Sequence, residues 1–169
     1  MNKHLNVFPF QETLNSGRCG PASLKIILQY YGTDLSEEEL AKRTNTKKDS
    51  GTSAEDIQKV ARELGFKVEI KNEGTLSDVE NWINKDVPVI VDWFTVGRDD
   101  YPEDTISADG HYSVVCGVDD THIYLQDPEI GKIRKMQRRV FERVWFDFTG
   151  DLIKTNELII RQFIAIYRD

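Results

Sequence analysis

The spacing of apolar residues changes along the chain, and this change constrains the fold more than any other feature of the sequence. In the first half apolar residues recur at helical spacing, as in Ile57, Val60, Ala61 and Leu64. In the second half they alternate with polar residues or form short apolar runs, which is typical of strands. Helices followed by antiparallel strands predict an α+β fold.

Local signals at the ends of these segments place the individual elements. Pro21 suits a first helical turn and Gly32 a position just past a helix end, while Ser36 begins a capping box. Helices are predicted over residues 22–31, after 36, from 53 to 64, around 79–83 and around 140–145. Strands are predicted over residues 66–71, 88–93, 111–118, 122–126 and 158–167. Residues 96–110 form a predicted surface loop; its acidic stretch, 99–104, is either solvated or a site for a cation or a basic peptide.

Length and charge narrow the class of protein. The 169 residues predict a single domain over 1–169, and the net charge of −7 argues against binding nucleic acid or an anionic membrane. No apolar run approaches the roughly 18 residues of a membrane span. The first residues contain one lysine and no apolar segment, so no signal peptide is predicted. We therefore expect a cytoplasmic protein, or a secreted one if a signal peptide has been removed.

The scarcity of ligand residues predicts a protein without metal or cofactor. Two cysteines are too few for a disulfide framework or the usual structural zinc sites. The three histidines fit no metal-binding motif, and no glycine-rich phosphate loop is present. Any chemistry must then come from side chains alone.

Cys19 is the strongest candidate for that chemistry. It precedes Gly20 and Pro21 at a predicted helix start, where free N–H groups and the helix dipole favour a thiolate over a thiol. Its own N–H is suited to binding the oxyanion of an attacked carbonyl. The alternative is an ordinary buried cysteine, which is the commonest role of a lone one.

A base and its partner are predicted on the hairpin. With a three-residue loop at 119–121, Ser113 faces Asp127, and His111 lies on the same face as a diagonal neighbour. Side chains of diagonal neighbours are close enough for the His111 imidazole to contact the Asp127 carboxylate. A two-residue loop, by contrast, would place His111 and Asp127 on opposite faces of the hairpin. Cys116 lies five residues after His111, so it points to the other face unless a bulge intervenes, and it is predicted to lie in the core and to form no disulfide with Cys19.

Four segments together carry a resemblance to a known family. They are Gln11, residues 19–24 (CGPASL), residues 110–115 (GHYSVV) and residues 125–128 (LQDP). In order and spacing, with 92 residues from Cys19 to His111 and 16 more to Asp127, the chain resembles the papain-like cysteine peptidases that process double-glycine leaders of bacteriocins. The match extends from about residue 8 to residue 167. The family members that mature bacteriocins are fused to a transporter domain, which this chain lacks, so the resemblance is to their stand-alone bacterial relatives.

This resemblance implies both a fold and a set of roles. The fold is papain-like, with a helical half that contains the nucleophile and a sheet half that contains the base. Cys19 is then the nucleophile, His111 the general base, Asp127 the residue that orients it, and Gln11 the oxyanion donor. The implied reaction is cleavage of a peptide or amide bond in a peptide or protein substrate, through a thioester and without a cofactor.

Three other functions are compatible with the same residues. If an amine replaces water at the thioester, the chain is an acyltransferase like transglutaminases or phytochelatin synthases. A second alternative is a peptide-binding module that has the same scaffold but no catalytic activity. A third is a structural protein in which Cys19 is an ordinary packed side chain. Incubation with an added amine distinguishes an acyltransferase from a hydrolase, and the reactivity of the thiol identifies a structural protein.

Overall fold

The structure is a computed structural model that describes residues 2–95, 110–149 and 154–169. Its helices are α1 (Cys19–Tyr30), α2 (Glu37–Arg43), α3 (Ala54–Glu63), α4 (Leu76–Asn84) and α5 (Arg138–Val144). Its strands are β1 (Lys3–His4), β2 (Lys67–Lys71), β3 (Val89–Phe94), β4 (Gly110–Val118), β5 (His122–Asp127), β6 (Lys132–Gln137), β7 (Phe146–Phe148), β8 (Leu158–Ile160) and β9 (Phe163–Tyr167). The predicted acidic loop, 99–104, lies outside the described residues.

The predicted helix starts agree with the observed capping contacts. Ser36 accepts a hydrogen bond from the Glu39 N–H at the start of α2, and Ser53 accepts one from the Asp56 N–H at the start of α3. These bonds satisfy N–H groups that a helix leaves without internal partners. None of the helices in the described ranges is long and apolar enough to cross a membrane.

The main sheet is antiparallel in every pairing, which confirms the predicted α+β class. Its strand order is β2-β9-β3-β4-β5-β6, and β1 pairs with β4. Helix α1 packs against β4, and residues 20–28 of α1 are all buried. A fully buried Leu or Ile side chain contributes about 1.5–3 kcal/mol, so the apolar core of α1 fixes its position against the sheet.

Two predictions about strands were wrong. The single strand predicted over 158–167 is divided at Arg161, whose φ of 48° ends β8, so that β8 pairs with β7 and β9 enters the main sheet. Strand β6 was not predicted, because it lies at the sheet edge and only Met136 is buried. An edge strand with one buried residue lacks the alternation that identifies a half-buried strand.

The hairpin register differs from the predicted one near the turn and agrees with it near the strand ends. Val118 pairs with Ile123 rather than with His122, so the connection is one residue longer than predicted. A bulge between Val115 and Gly117 then shifts the register, and Val114 pairs with Gln126. Continued to the end of β5, this register sets Ser113 opposite Asp127, as predicted.

Candidate active site

Cys19 is the first residue of α1 and is partly exposed at the wall of an open cleft. The residue after it has no room for a side chain, because a Cβ on Gly20 would lie 2.8 Å from the Cβ of Thr52. Thr52 is itself held by a 2.6 Å hydrogen bond between its hydroxyl and that of Thr46. The start of α1 therefore packs closely against the residues around Thr52, while the Cys19 thiol stays accessible.

His111 and Asp127 meet across the β4–β5 hairpin. Nε2 of His111 lies 2.6 Å from Oδ1 of Asp127, and both side chains are buried. His111 is the second residue of β4 and Asp127 the last of β5, so the sheet register itself holds them together. This contact confirms the prediction that the two residues share a face.

Cys19 and His111 line the same cleft, and Cys19 is near enough to contribute to the pKa of the imidazole. Since Nε2 is engaged by Asp127, Nδ1 is the ring nitrogen that remains for the thiol. Burial by itself would lower the pKa of His111, but the charge and hydrogen bond of Asp127, together with those of Cys19, outweigh it and raise that pKa well above its ordinary value. This rise in pKa favours the charged form of the imidazole.

Asp127 is fully buried and has further partners. Its Oδ1 accepts a 2.9 Å bond from the Glu129 N–H, and its Oδ2 lies 2.8 Å from Nε of Arg134. The ring of Trp93 meets that of His111 nearly edge-on, with 5.8 Å between centroids. Sequence analysis did not find Arg134 or Trp93, because neither belongs to a motif and β6 was not predicted.

Gln11 and Glu12 lie on the leading segment, residues 5–18, which runs beside the turn that follows β5. The Glu12 N–H donates to the Pro128 carbonyl at 2.8 Å, and Nε2 of Gln11 donates to the Glu129 carbonyl at 3.1 Å. Gln11 is exposed, whereas Glu12 lines the cleft. The structure therefore brings Cys19, His111 and Asp127 together, and it directs the Gln11 amide to the turn rather than to the thiol.

Glu12 is a cleft residue that sequence analysis missed. Burial, and beyond it the negative charges of Glu129 and Asp127, raise its pKa to about 7, although the positive charge of His111 acts in the opposite direction. A protonated carboxyl group can donate a hydrogen bond, which a carboxylate cannot. No sequence signal identified this residue, because an acidic side chain in a leading segment is normally solvated.

The cleft has a volume of about 490 Å³ and is bounded by the leading segment, α1, the loop 48–52, the β3 and β4 ends and β7. One group of side chains among the described residues has metal-ligand spacing, namely His111, Asp127 and Glu129. The two oxygens of Asp127 are already bonded to His111 and Arg134. This donor set fits a hydrogen-bonded proton-transfer pair better than a metal centre.

Cys116 is buried in the core at the bulge of β4, as predicted. Its thiol donates to the Tyr124 carbonyl at 3.5 Å, and burial raises its pKa to about 11. Both cysteines are free thiols. Burial therefore makes Cys116 far less prone to form a thiolate than an ordinary cysteine.

Comparisons with known proteins find similar sequences. A profile of the Peptidase C39 family matches residues 8–150. The lactococcin-G-processing and transport ATP-binding protein LagD of Lactococcus lactis subsp. lactis is 34% identical over 135 residues, which are 80% of this chain and 17% of LagD. This chain thus spans less than a fifth of the length of that relative.

Solved structures give the same result for the fold. The crystal structure of the peptidase domain of Streptococcus ComA has a TM-score of 0.65 and 25% identity, with 97% of each chain covered. A double glycine motif protease from an AMS/PCAT transporter, in complex with its leader peptide, has a TM-score of 0.67 and 19% identity, covering 98% of this chain and 97% of that one. The extent of the profile match and the identity to LagD, on a fold that these structures share, show that the chain belongs to the peptidase C39 family of cysteine peptidases.

Proposed function

We propose that Cys19, His111 and Asp127 form the triad that cleaves a peptide bond in this chain. The observation that carries the proposal is the placement of one imidazole, which is bonded at Nε2 to Asp127 and lines the same cleft as the Cys19 thiol, near enough for Cys19 to raise its pKa. A nucleophile, a base and an orienting carboxylate in this order are the elements of acyl-transfer catalysis.

The reaction proceeds in two halves. Cys19 attacks the carbonyl carbon as a thiolate, and the negative charge that develops on the oxygen is stabilised by the Cys19 N–H at the start of α1. His111 then donates its proton to the leaving amine, and the C–N bond breaks to leave a thioester on Cys19. Water attacks the thioester with His111 as the base, which releases the acid product and restores the thiol.

We propose a peptide as the substrate. Support comes from the open cleft beside Cys19, from LagD, which processes lactococcin G, and from the leader-peptide complex of the similar protease. A narrower preference for cleavage after an internal Gly-Gly, in peptides that continue beyond this pair, is one arm of the test, against a library of unrelated peptides of the same length.

A thiol-reactive probe tests the nucleophile. At near-neutral pH, iodoacetamide should modify Cys19 much faster than free cysteine, and Cys19→Ala should abolish both labelling and peptide cleavage. Cys116→Ser is the matched control and should keep both, because that thiol is buried and its pKa is about 11. Preferential labelling of Cys116 would contradict the proposal. Mass spectrometry of the products, with and without an added amine, distinguishes hydrolysis from acyl transfer.

The role of Asp127 has a separate test. Asp127→Asn keeps the volume of the side chain but cannot stabilise an imidazolium, so kcat should fall by about 10²–10⁴ and the pKa of His111 should fall with it. Asp119→Asn, at the turn of the same hairpin, removes a carboxylate that bonds only to its own turn and to Tyr124 among the contacts described. This control should lower stability and leave kcat unchanged. Equal turnover in Asp127→Asn and the wild type would remove Asp127 from the mechanism.

A further inference from the structure

Arg134 is a cation beside the site, with most of its side chain shielded from solvent, that the mechanism above does not use. It lies on β6 opposite Leu125, and its side chain is only 9% exposed. Its Nε is 2.8 Å from Oδ2 of Asp127, a carboxylate with no exposed surface. Burying a guanidinium and a carboxylate is costly unless both are held in good hydrogen-bonding geometry, so this contact is a tightly constrained one.

The ring of Trp93 lies close to both Arg134 and the imidazole of His111. The guanidinium carbon of Arg134 is 5.9 Å from the centre of the Trp93 ring, which in turn meets the His111 ring at 5.8 Å. The Trp93 ring is itself fixed, because Nε1 donates to the Ser113 hydroxyl at 3.0 Å. Arg134 is therefore linked to His111 both through Asp127 and through the indole, and it is not among the described residues that line the cleft.

We propose that Arg134 is a positioning residue, which holds the Asp127 carboxylate in the orientation that turns His111 toward Cys19 and limits the negative charge that Asp127 lends to the imidazole. The two oxygens of the carboxylate divide these tasks, since Oδ1 bonds to His111 and Oδ2 to Arg134. A free carboxylate can rotate about its bond to Cβ, whereas one held at both oxygens cannot. The catalytic consequence rests on the proposed function; the electrostatic one does not.

The sign of the electrostatic effect follows from the charges around His111. Among the described residues they include Cys19 on α1, Glu12 on the leading segment, Asp127 at the end of β5, Glu129 in the turn after it and Arg134 on β6, together with Asp92 and Asp147, which line the same cleft. Arg134 partly neutralises Asp127, so its loss leaves a stronger anion against the imidazole. Removing Arg134 should therefore raise the pKa of His111 further, by about one unit.

Titration of His111 by NMR measures this effect directly, because the chain has only three histidines. It is done in the Cys19→Ala background, where no thiolate interferes, with Arg134→Met and Arg134→Lys. The methionine variant should show the rise of about one unit. The lysine variant keeps the positive charge, so the pKa of His111 should stay within about 0.3 units of its value in the Cys19→Ala parent. It also provides a test if Arg134→Met does not fold. With Cys19 present, we expect kcat to fall about 10²-fold for Met and about 10-fold for Lys.

Arg138→Met is the matched control. Arg138 follows β6 directly and forms an ion pair of 2.6 Å with Glu80, but it has no described contact with Asp127. Its loss should lower the melting temperature and leave both the His111 titration and kcat unchanged. An Arg134→Met variant that behaves like this control would overturn the proposal, because it would show a purely structural ion pair.

The two proposals fail in different ways. If Cys19 labelling in the wild type does not depend on His111, the peptidase mechanism fails, yet the His111 titration still decides whether Arg134 sets the charge of the imidazole. If labelling depends on His111 but Arg134→Met leaves the pKa of His111 unchanged or lower, the peptidase mechanism stands and the role of Arg134 is wrong.

Discussion

Neighbouring residues in the leading segment face in different directions, and this matters for the oxyanion. Gln11 is exposed with its amide on the Glu129 carbonyl, while Glu12 lines the cleft. The role implied for Gln11 by resemblance remains a prediction, because hydrogen bonds of a catalytic site often form only when substrate is bound. A rotation of the Gln11 side chain on substrate binding would be required.

Gln11→Ala tests that role. A donor to the oxyanion acts mainly in the transition state, so kcat should fall by about 10²–10³ with little change in KM. Alkylation of Cys19 by iodoacetamide should continue, since that reaction forms no oxyanion. A variant with normal kcat and a lower melting temperature would show that Gln11 only attaches the leading segment to the turn at Glu129.

At the scale of elements, the parity argument for His111 and Asp127 succeeded through two compensating features. The connection between β4 and β5 is one residue longer than predicted, which alone would have moved Asp127 to the wrong face. The bulge between Val115 and Gly117 restores the register before the strand ends. Alternation of side chains could be predicted from the sequence, but the bulge could not, because nothing in the apolar run 114–118 marks it.

The start of α1 depends on a close contact that makes a substitution informative. Alanine normally stabilises a helix relative to glycine by about 1 kcal/mol, but at Gly20 the added Cβ would lie 2.8 Å from the Cβ of Thr52. Gly20→Ala should therefore destabilise the protein by about 1–3 kcal/mol and lower activity further by displacing Cys19 from His111.

A double-mutant cycle in urea unfolding checks the cause. Thr52→Gly removes the opposing Cβ, so the combined variant should be more stable than the sum of the single effects by about 1 kcal/mol. Simple additivity would show that the strain lies elsewhere along the helix start.

At the scale of the whole molecule, the site lies where the helical half meets the sheet. Cys19 comes from α1, His111 and Asp127 from β4 and β5, and Glu12 from the leading segment beside them. Packing of α1 on β4 determines the distance between thiol and imidazole. Because the site buries acidic groups between these parts, the stability of the fold depends on their protonation.

The raised pKa of Glu12 determines how the stability of the fold changes with pH. Its pKa is raised from 4.5 to about 7, so between these values the unfolded chain loses its proton first and the free energy of unfolding falls as pH rises. Glu12→Gln removes the ionisable group and with it this decrease in the free energy of unfolding. Relative to the wild type, its free energy of unfolding should increase between pH 4.5 and 7, by up to about 3 kcal/mol, and change little above pH 7.

Urea unfolding at several pH values measures the difference. Glu63→Gln, at the exposed end of α3, controls for the loss of one negative charge and should show no such trend. A difference between Glu12→Gln and the wild type that is flat from pH 4.5 to 7 would show that Glu12 is solvated in the folded protein.

The sequence by itself determined which segments are helical and where α2 and α3 begin, because caps and apolar spacing are local properties. That His111 and Asp127 share a face was decided only by the structure, since a bulge that the sequence does not mark offsets the longer turn. The sequence also singled out Cys19 and predicted the core position of Cys116. Only the tertiary structure decided what surrounds these residues: Arg134 from an edge strand, Trp93 from β3, and Glu12 in place of the Gln11 side chain at the cleft. These contacts join residues distant in sequence, and they depend on sheet order, on a bulge and on packing, none of which has a local signal.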